Sequence, residues 1–176
     1  MNKYFSLIIL GILSIILFFG CEDDDSSENG NDEINVINVT TSNVNQSYFY
    51  YDLVNELEID SLSNWHLALE TTGSYNMSSI LFGSVFVAEY SNILFDDMKE
   101  SPLTFTEDYV QDNRVFEYEG SNEILSYDIS VHKVSVTNPD RVYVIYEPIS
   151  QAIFKLQFLE YISGILVFSF NQFLNN

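Results

Sequence analysis

From Ile34 onward the chain consists of short apolar segments rich in Val, Ile, Phe and Tyr, separated by Asn, Asp, Ser and Gly. β-Branched and aromatic residues favour strands, and the polar residues and glycines between them favour turns. No stretch carries a long apolar stripe at helical spacing. The pattern predicts strands at 34–41, 47–53, 65–70, 80–90, 103–110, 115–118, 126–136, 141–147, 152–161 and 165–173.

Two segments carry more specific expectations. In segment 65–70, period-two alternation puts Trp65, Leu67 and Leu69 on one face, and His66 is expected to face water. Segment 92–99 has apolar residues at near-helical spacing, which predicts one short helix. We therefore expect residues 34–176 to form a single all-β domain of mainly antiparallel sheets, either curled or sandwich-like.

The first 20 residues have the three parts of a secretory signal peptide: a positive start at Lys3, an apolar run of about 16 residues, and a small residue at the end. The sequence Leu17-Phe18-Phe19-Gly20-Cys21 resembles the lipobox of bacterial lipoproteins. Cys21 is the only cysteine, so no internal disulfide can form and this residue is the expected lipid attachment point. An uncleaved membrane anchor is the alternative.

Residues 21–33 are expected to form a lipidated, disordered acidic tether, because no apolar side chain follows Cys21 in this segment. The acids at 22–25 resemble the surface-export signal of Bacteroidota lipoproteins, although they could equally be a solvated spacer. The whole chain has 26 acidic and six basic residues, a net charge of −20, which excludes nucleic acid as a partner. The expected location is the outer membrane, at the cell surface, with the periplasmic face left open.

Sequence motifs of enzymes are absent: there is no G-x-S-x-G, no H-E-x-x-H, no phosphate loop and no dinucleotide fingerprint. Two histidines and no free thiol leave little material for a nucleophilic triad. Acidic pairs such as Asp96-Asp97 and Glu107-Asp108 keep a glycosidase-like arrangement open as a weak alternative. The chain is therefore predicted not to be an enzyme.

His132 and the methionines are the soft ligands of interest. The apolar alternation on either side of His132 changes phase at His132-Lys133, which predicts a bulge or bend there; a solvent-facing histidine is the alternative. Met98 and Met77 could be ligands or core residues. Met98 is followed by Lys99 as His132 is by Lys133, and at a bend or loop a soft ligand beside a cation suits an iron porphyrin, whose propionates need a positive partner; coincidence is the alternative.

The carboxy-terminal third resembles the HmuY family, haem-binding surface lipoproteins of Bacteroidota. The resemblance is carried by the segments RVYVIY (141–146), FKLQFLEY (154–161) and GILVFSF (164–170), with weaker similarity at YFYY (48–51) and SNW (63–65). It implies the all-β fold of that family and an exported, lipid-anchored location. The sequence departs from the family pattern at His66, where an Asp usually follows the Trp, and at Ser150-Gln151, which replace a glycine-containing turn.

The resemblance also implies a function. In that family haem iron is held by two axial side chains, and the position of His132 suits one of them. Met98 is the first choice for the other and Met77 the second, with Lys133 and Lys99 as propionate partners and haem iron as the only metal. The protein would bind haem for iron acquisition and pass it to an outer-membrane transporter. The alternative is a non-haem ligand-binding or accessory lipoprotein on the same fold.

Overall fold

The computed structural model describes residues 35–73, 76–102, 105, 114–116 and 124–173. The predicted signal peptide, Cys21 and the tether lie outside these residues, as does most of the predicted strand 103–110. The described strands are β1 (Ile37–Thr40), β2 (Phe49–Asp52), β3 (Leu57–Ile59), β4 (Leu67–Thr72), β5 (Met77–Phe82), β6 (Phe86–Tyr90), β7 (Arg114–Phe116), β8 (Leu125–Asp128), β9 (Lys133–Val136), β10 (Val142–Glu147), β11 (Ala152–Ile162) and β12 (Ile165–Gln172).

The strands form two five-stranded sheets and one separate hairpin. The first sheet has the order β1-β12-β11-β10-β6, the second has the order β3-β2-β4-β5-β7, and β8 pairs with β9. All of these pairings are antiparallel. No helix occurs in the described part of the chain, so the prediction of an all-β, sandwich-like architecture is confirmed.

The core lies between the inner faces of the two sheets and is dominated by aromatic rings. Period-two alternation in β11 and β12 turns Phe158, Phe168 and Phe170 inward, where all three are fully buried. From the second sheet, Tyr51 meets Phe168 and Phe170 edge to face, at centroid distances of 5.7 and 5.8 Å. Edge-to-face contacts at these distances are favourable for aromatic pairs, so the rings join the sheets specifically as well as burying apolar area.

Two of the predicted strands are each divided into two shorter strands. Segment 80–90 divides into β5 and β6 at Gly83, where a Cβ atom would lie 2.1 Å from the backbone oxygen of Trp65. Only glycine fits such a close approach, and the chain turns there to leave the second sheet for the first. Segment 126–136 is the β8–β9 hairpin, with its turn at 129–132. The predicted bend at His132 is therefore present, in the form of a hairpin turn.

The predicted helix at 92–99 is wrong. The segment makes a single turn in which the N–H groups of Asp97 and Met98 donate to the Leu94 oxygen. The carbonyl oxygens of Phe95 and Met98 instead accept hydrogen bonds from the Lys155 ammonium, at 2.6 and 3.1 Å. Because a side chain from β11 takes these acceptors, the segment is held as a turn on the outer face of the first sheet.

The faces of segment 65–70 are predicted correctly for the leucines and wrongly for the residues that precede β4. Leu67 and Leu69 lie in the core, whereas the Trp65 ring packs on Tyr50, 5.6 Å between centroids. His66 is buried rather than facing water. Strand alternation does not reach these two residues because the Trp65 N–H bonds the Ser63 oxygen in a tight turn.

A matched pair of substitutions on β11 tests the core. Leu156 is fully buried between the sheets, whereas Leu159 lies at an irregularity in the β11–β12 pairing and is 38% exposed. Leu156→Ala should lower the free energy of unfolding by about 2–5 kcal/mol, because it leaves a cavity in a packed core. Leu159→Ala should stay within about 0.5 kcal/mol. Urea unfolding followed by the fluorescence of Trp65, the only tryptophan, measures both; equal losses would contradict this arrangement.

Candidate functional site

Four turns meet at one end of the structure and enclose a cleft. One cavity of about 280 Å³ is lined by residues of the β1–β2 connection, the β4–β5 turn with the start of β5, the β8–β9 turn with the start of β9, and the β11–β12 turn. A neighbouring cavity of about 560 Å³ shares Asn45 and Asn76 with it. We call the two together the loop cleft, lined by 44–48, Thr71, 76–78, 132–134 and 161–164.

Left-handed backbone conformations shape these turns. Asn76, His132 and Ser163 have φ angles of 51°, 51° and 50°, and Gly164 has a φ of 93°. Such angles are unusual for residues with a side chain and allow the chain to reverse within a few residues. The β11–β12 turn is fixed further by the Asn43 amide, which donates to the Ser163 oxygen at 3.0 Å. This hydrogen bond, between residues far apart in the sequence, holds the β11–β12 turn beside the β1–β2 connection.

The loop cleft brings together three residues that the sequence singles out. His132 ends the β8–β9 turn, Lys133 begins β9 and Met77 begins β5, and all three line the smaller cavity. The floor beside Met77 is polar: the hydroxyls of Ser78 and Tyr161, both buried, are hydrogen-bonded to each other. Residues that carry an imidazole, a thioether and an ammonium group thus line one cavity.

The imidazole of His132 has one nitrogen engaged. Its Nδ1 lies 2.5 Å from the Tyr127 hydroxyl oxygen, while the ring itself is exposed. When the Nδ1 proton donates to that oxygen, the lone pair of Nε2 is available to a metal. Metal-bound histidines commonly donate their other ring N–H to a partner in this way. The geometry therefore suits a metal ligand that binds through Nε2.

The loop cleft contains no Asp or Glu among its described lining residues, although the chain has 26 of them. Among these described lining residues, Lys133 carries the only formal charge when His132 is neutral. Asp128 faces Lys133 across the hairpin but lies outside the lining, and its carboxylate accepts hydrogen bonds from the Ser130 N–H and hydroxyl. Electrostatic repulsion of a negatively charged ligand is thus weaker here than at a cavity lined by carboxylates.

Met98 and Lys99 do not lie with His132. They line a different cavity of about 660 Å³, beside segment 89–93, whose lining also includes Glu89, Asp97 and Glu100. The Met98 side chain is buried against Phe95, Val142, Val144 and Phe173, on the outer face of the first sheet. The first-choice pair of His132 and Met98 is therefore divided between two cavities, whereas the second-choice pair of His132 and Met77 shares one.

Lys155 explains why Met98 is buried. Its ammonium group is almost completely buried, donates to the Phe95 and Met98 oxygens, and lies 4.3 Å from the Phe95 ring centre. Burial, with the nearby charge of Lys99, lowers the pKa of Lys155. Carbonyl and ring contacts replace the hydration that burial removes. This lysine attaches the Met98 turn to the sheet.

His66 has a structural role. Its Nδ1 accepts a hydrogen bond from the Leu53 N–H at 3.1 Å and lies 3.3 Å from an Asp52 oxygen. Burial lowers the pKa of His66, although the Asp52 and Glu147 carboxylates oppose this effect. The ring is therefore engaged in holding β2 beside the start of β4.

Sequence reasoning missed most of the loop cleft. Tyr127 and Asn76 belong to no functional motif, Tyr161 enters only as the last residue of the FKLQFLEY segment, and aromatic rings do not dominate the described lining of this cleft. Most of the buried Phe and Tyr rings instead pack between the sheets. Of the described residues, no three His, Cys, Asp or Glu are grouped so as to hold a metal ion, and no helix among them is long and apolar enough to cross a membrane. Comparison of the chain with protein-family models, curated proteins and solved structures gave no match.

The buried state of His66 predicts a pH dependence of stability. Its pKa is lower in the folded chain than the ordinary 6.5, so the unfolded chain binds the proton first as the pH falls. Stability is thus fully present above about pH 6.5 and declines below it, by at most about 1.4 kcal/mol per pH unit. Urea unfolding between about pH 8 and about pH 5 should show this decline in the wild type.

Two variants test whether His66 causes this loss of stability at low pH. His66→Gln should flatten it, because the titrating group is gone, whereas His132→Gln should leave the contribution of His66 in place. The quantity compared is the slope of the free energy of unfolding against pH, rather than its absolute value, because His66→Gln also removes packing contacts. A slope that His66→Gln leaves unchanged would show that another group is responsible.

Proposed function

We propose that this protein binds haem in the loop cleft, through His132 and Met77, and serves in iron acquisition. The observation that carries the proposal is that these two soft ligands line one cavity. Imidazole and thioether groups are common axial ligands of haem iron. The similarity of the sequence to HmuY-like lipoproteins, described above, supports the same function from independent residues.

The donor set fits the two parts of a haem. Nε2 of His132 and Sδ of Met77 would hold the iron, and the Lys133 ammonium would attract a propionate. The iron of haem accepts axial ligands, and the porphyrin carries two propionate carboxylates at one edge. A cleft with soft ligands, one cation and few acids therefore suits both the iron and the propionates. The cavity at Met98 suits the propionates less, because its lining holds Asp97 and Glu100 against one lysine, Lys99, and its third acid, Glu89, is already paired with Arg141 at 2.9 Å.

The size and openness of the cleft bear on how the ligand would be held. Ligand sites are usually about 300–1,000 Å³, and the cavities of about 280 and 560 Å³ adjoin at Asn45 and Asn76. Exposed His132 and Lys133 lie at the open side. A ligand bound there stays partly accessible, which suits a protein that captures a ligand and then releases it to a partner.

Location and partner follow from the amino-terminal segment. The predicted signal at 1–20, lipid at Cys21 and acidic tether at 21–33 would anchor the β-domain at the outer membrane, facing the cell surface. Transfer to an outer-membrane transporter would need only that the transporter bind haem more tightly. The proposed activity is binding, without catalysis.

One observation favours a second candidate function. The loop cleft is lined mainly by amide and hydroxyl groups (Asn45, Gln46, Ser47, Thr71, Asn76, Ser163), which suit a polar ligand that forms hydrogen bonds. A non-haem binding or accessory lipoprotein on the same fold would use these groups and would not need the thioether of Met77. Haem titration of the wild type and of variants at Met77 and His132 distinguishes the two functions.

The axial ligands are tested with two matched methionine variants. Ferric haem added to the full chain in detergent should produce a shifted Soret band. Met77→Leu and His132→Ala should each weaken binding at least about tenfold, or about 1.4 kcal/mol, because each removes a donor to the iron. Met98→Leu removes a thioether of the same size from the other cavity and should leave the titration unchanged.

Three outcomes would contradict the proposal. No Soret change in the wild type would favour the non-haem function. If Met98→Leu loses haem binding and Met77→Leu retains it, the site is the other cavity. If neither methionine variant loses binding, neither thioether is a ligand of the iron.

The propionate partner is tested with two matched lysine variants. Lys133→Gln should weaken haem binding by up to about fivefold, since an exposed ion pair contributes about 0–1 kcal/mol. The effect should shrink at high salt, which screens exposed charges. Lys99→Gln should have no effect, because Lys99 lines the other cavity. Equal effects of the two variants would indicate a general influence of net charge.

A further inference from the structure

A direct hydrogen bond joins the side chains of Tyr127 and His132. Tyr127 lies in β8, where it pairs with Val134 of β9, and its hydroxyl reaches the ring that ends the turn. The distance of 2.5 Å between Oη and Nδ1 is at the short end for hydrogen bonds. The two rings are tilted by 39°, with 6.1 Å between centroids. This contact involves one of the proposed ligands directly.

Tyr127 is in a position to act as a fixed support. It shares the inward face of the hairpin with Leu125, Val134 and Val136, which pack against the main core. The turn after it is closed by Asp128, whose carboxylate accepts hydrogen bonds from the Ser130 N–H and hydroxyl. His132 itself is exposed, so its ring would be free to rotate without the hydroxyl.

We propose that Tyr127 is the positioning residue of the loop cleft: its hydroxyl fixes the orientation and the tautomer of the His132 ring before a ligand enters. The two nitrogens of a neutral imidazole are distinct, and the bond made by one decides what the other can do. With the Nδ1 proton donated to the Tyr127 oxygen, Nε2 keeps its lone pair and is the nitrogen left for the iron. The consequence for haem rests on the proposed function, whereas the effect on the ring does not.

The effect on the ring is measured first, without haem. The chain has only two histidines, so the ¹⁵N NMR spectrum of its ring nitrogens is simple, and His132→Gln assigns the signals. At about pH 8.5 imidazole is neutral, and the nitrogen shifts report the tautomer ratio. At His132 the folded wild type should hold more of the tautomer protonated at Nδ1 than the urea-unfolded chain does, and Tyr127→Phe should restore the ratio of the unfolded chain. A shift toward the tautomer protonated at Nε2 would overturn the proposal, because that nitrogen would then have no lone pair for a metal.

A second tyrosine provides the matched control. The Tyr50 hydroxyl is likewise hydrogen-bonded to another side chain, donating to Glu70 at 2.6 Å, but Tyr50 lies outside the loop cleft. Tyr50→Phe should leave the His132 signals as in the wild type. A wild-type ratio equal to that of the unfolded chain, or one unchanged by Tyr127→Phe, would overturn the proposal whether or not haem binds.

The second measurement adds ferric haem. Tyr127→Phe should weaken haem binding by about 10- to 100-fold, the usual effect of removing the partner of a metal-bound histidine. It should also shift the reduction potential of the bound haem. Wild-type affinity and potential in Tyr127→Phe would overturn the role of Tyr127 toward the ligand. If the wild type binds no haem, the proposed function fails, and the NMR result still decides whether Tyr127 positions the ring.

Discussion

Packing of the β11–β12 hairpin against the second sheet is the interaction on which the rest of the structure depends. These are the longest described strands, and they occupy the middle of the first sheet. Their inward rings meet Tyr51 and Phe82 across the core. The same hairpin supplies Lys155, which holds the Met98 turn on its outer face, and its own turn forms one side of the loop cleft. One element thus fixes the core, a covering segment and the candidate site.

In this arrangement most of the buried aromatic residues lie between the sheets, whereas the candidate ligands His132 and Met77 lie at the turns. Rings that bury large apolar areas stabilise most when they are packed between sheets, and most of the buried ones lie there. The turns at the end of the sheets are left with small polar residues, which suit left-handed conformations and hydrogen-bonded reversals. A site made from such turns holds its ligand by a few well-placed donors rather than by an enclosing aromatic wall. Positioning of single side chains, such as His132, therefore matters more here than apolar burial.

Much of the fold could be predicted from the sequence, because alternation and turn residues are local signals. Strands β10, β11 and β12 were predicted within a residue or two, whereas the division at Gly83 depends on a close approach to Trp65 that no local pattern records. The site was predicted only in part. His132 and Met77 could be singled out as soft ligands, but the choice between Met77 and Met98 depends on which turns meet in space. The sequence did contain one indication that the Met98 segment is part of the packing. Segment Val142–Glu147 is largely apolar on both faces, which indicates a strand that is buried on both sides, so a further segment must cover its outer face.

The charge of the chain limits where an anionic ligand can bind. A net charge of −20 repels such a ligand at long range, but this field is screened beyond about 8–10 Å at physiological ionic strength. Within that distance the local lining decides, and the described lining of the loop cleft has one lysine and no carboxylate. The Met98 cavity, of about 660 Å³, is larger than either cavity of the loop cleft alone and yet its lining includes three acids. For an anionic ligand whose metal also requires soft donors, the loop cleft is therefore the better site, because short-range charge and ligand chemistry outweigh the volume of a single cavity.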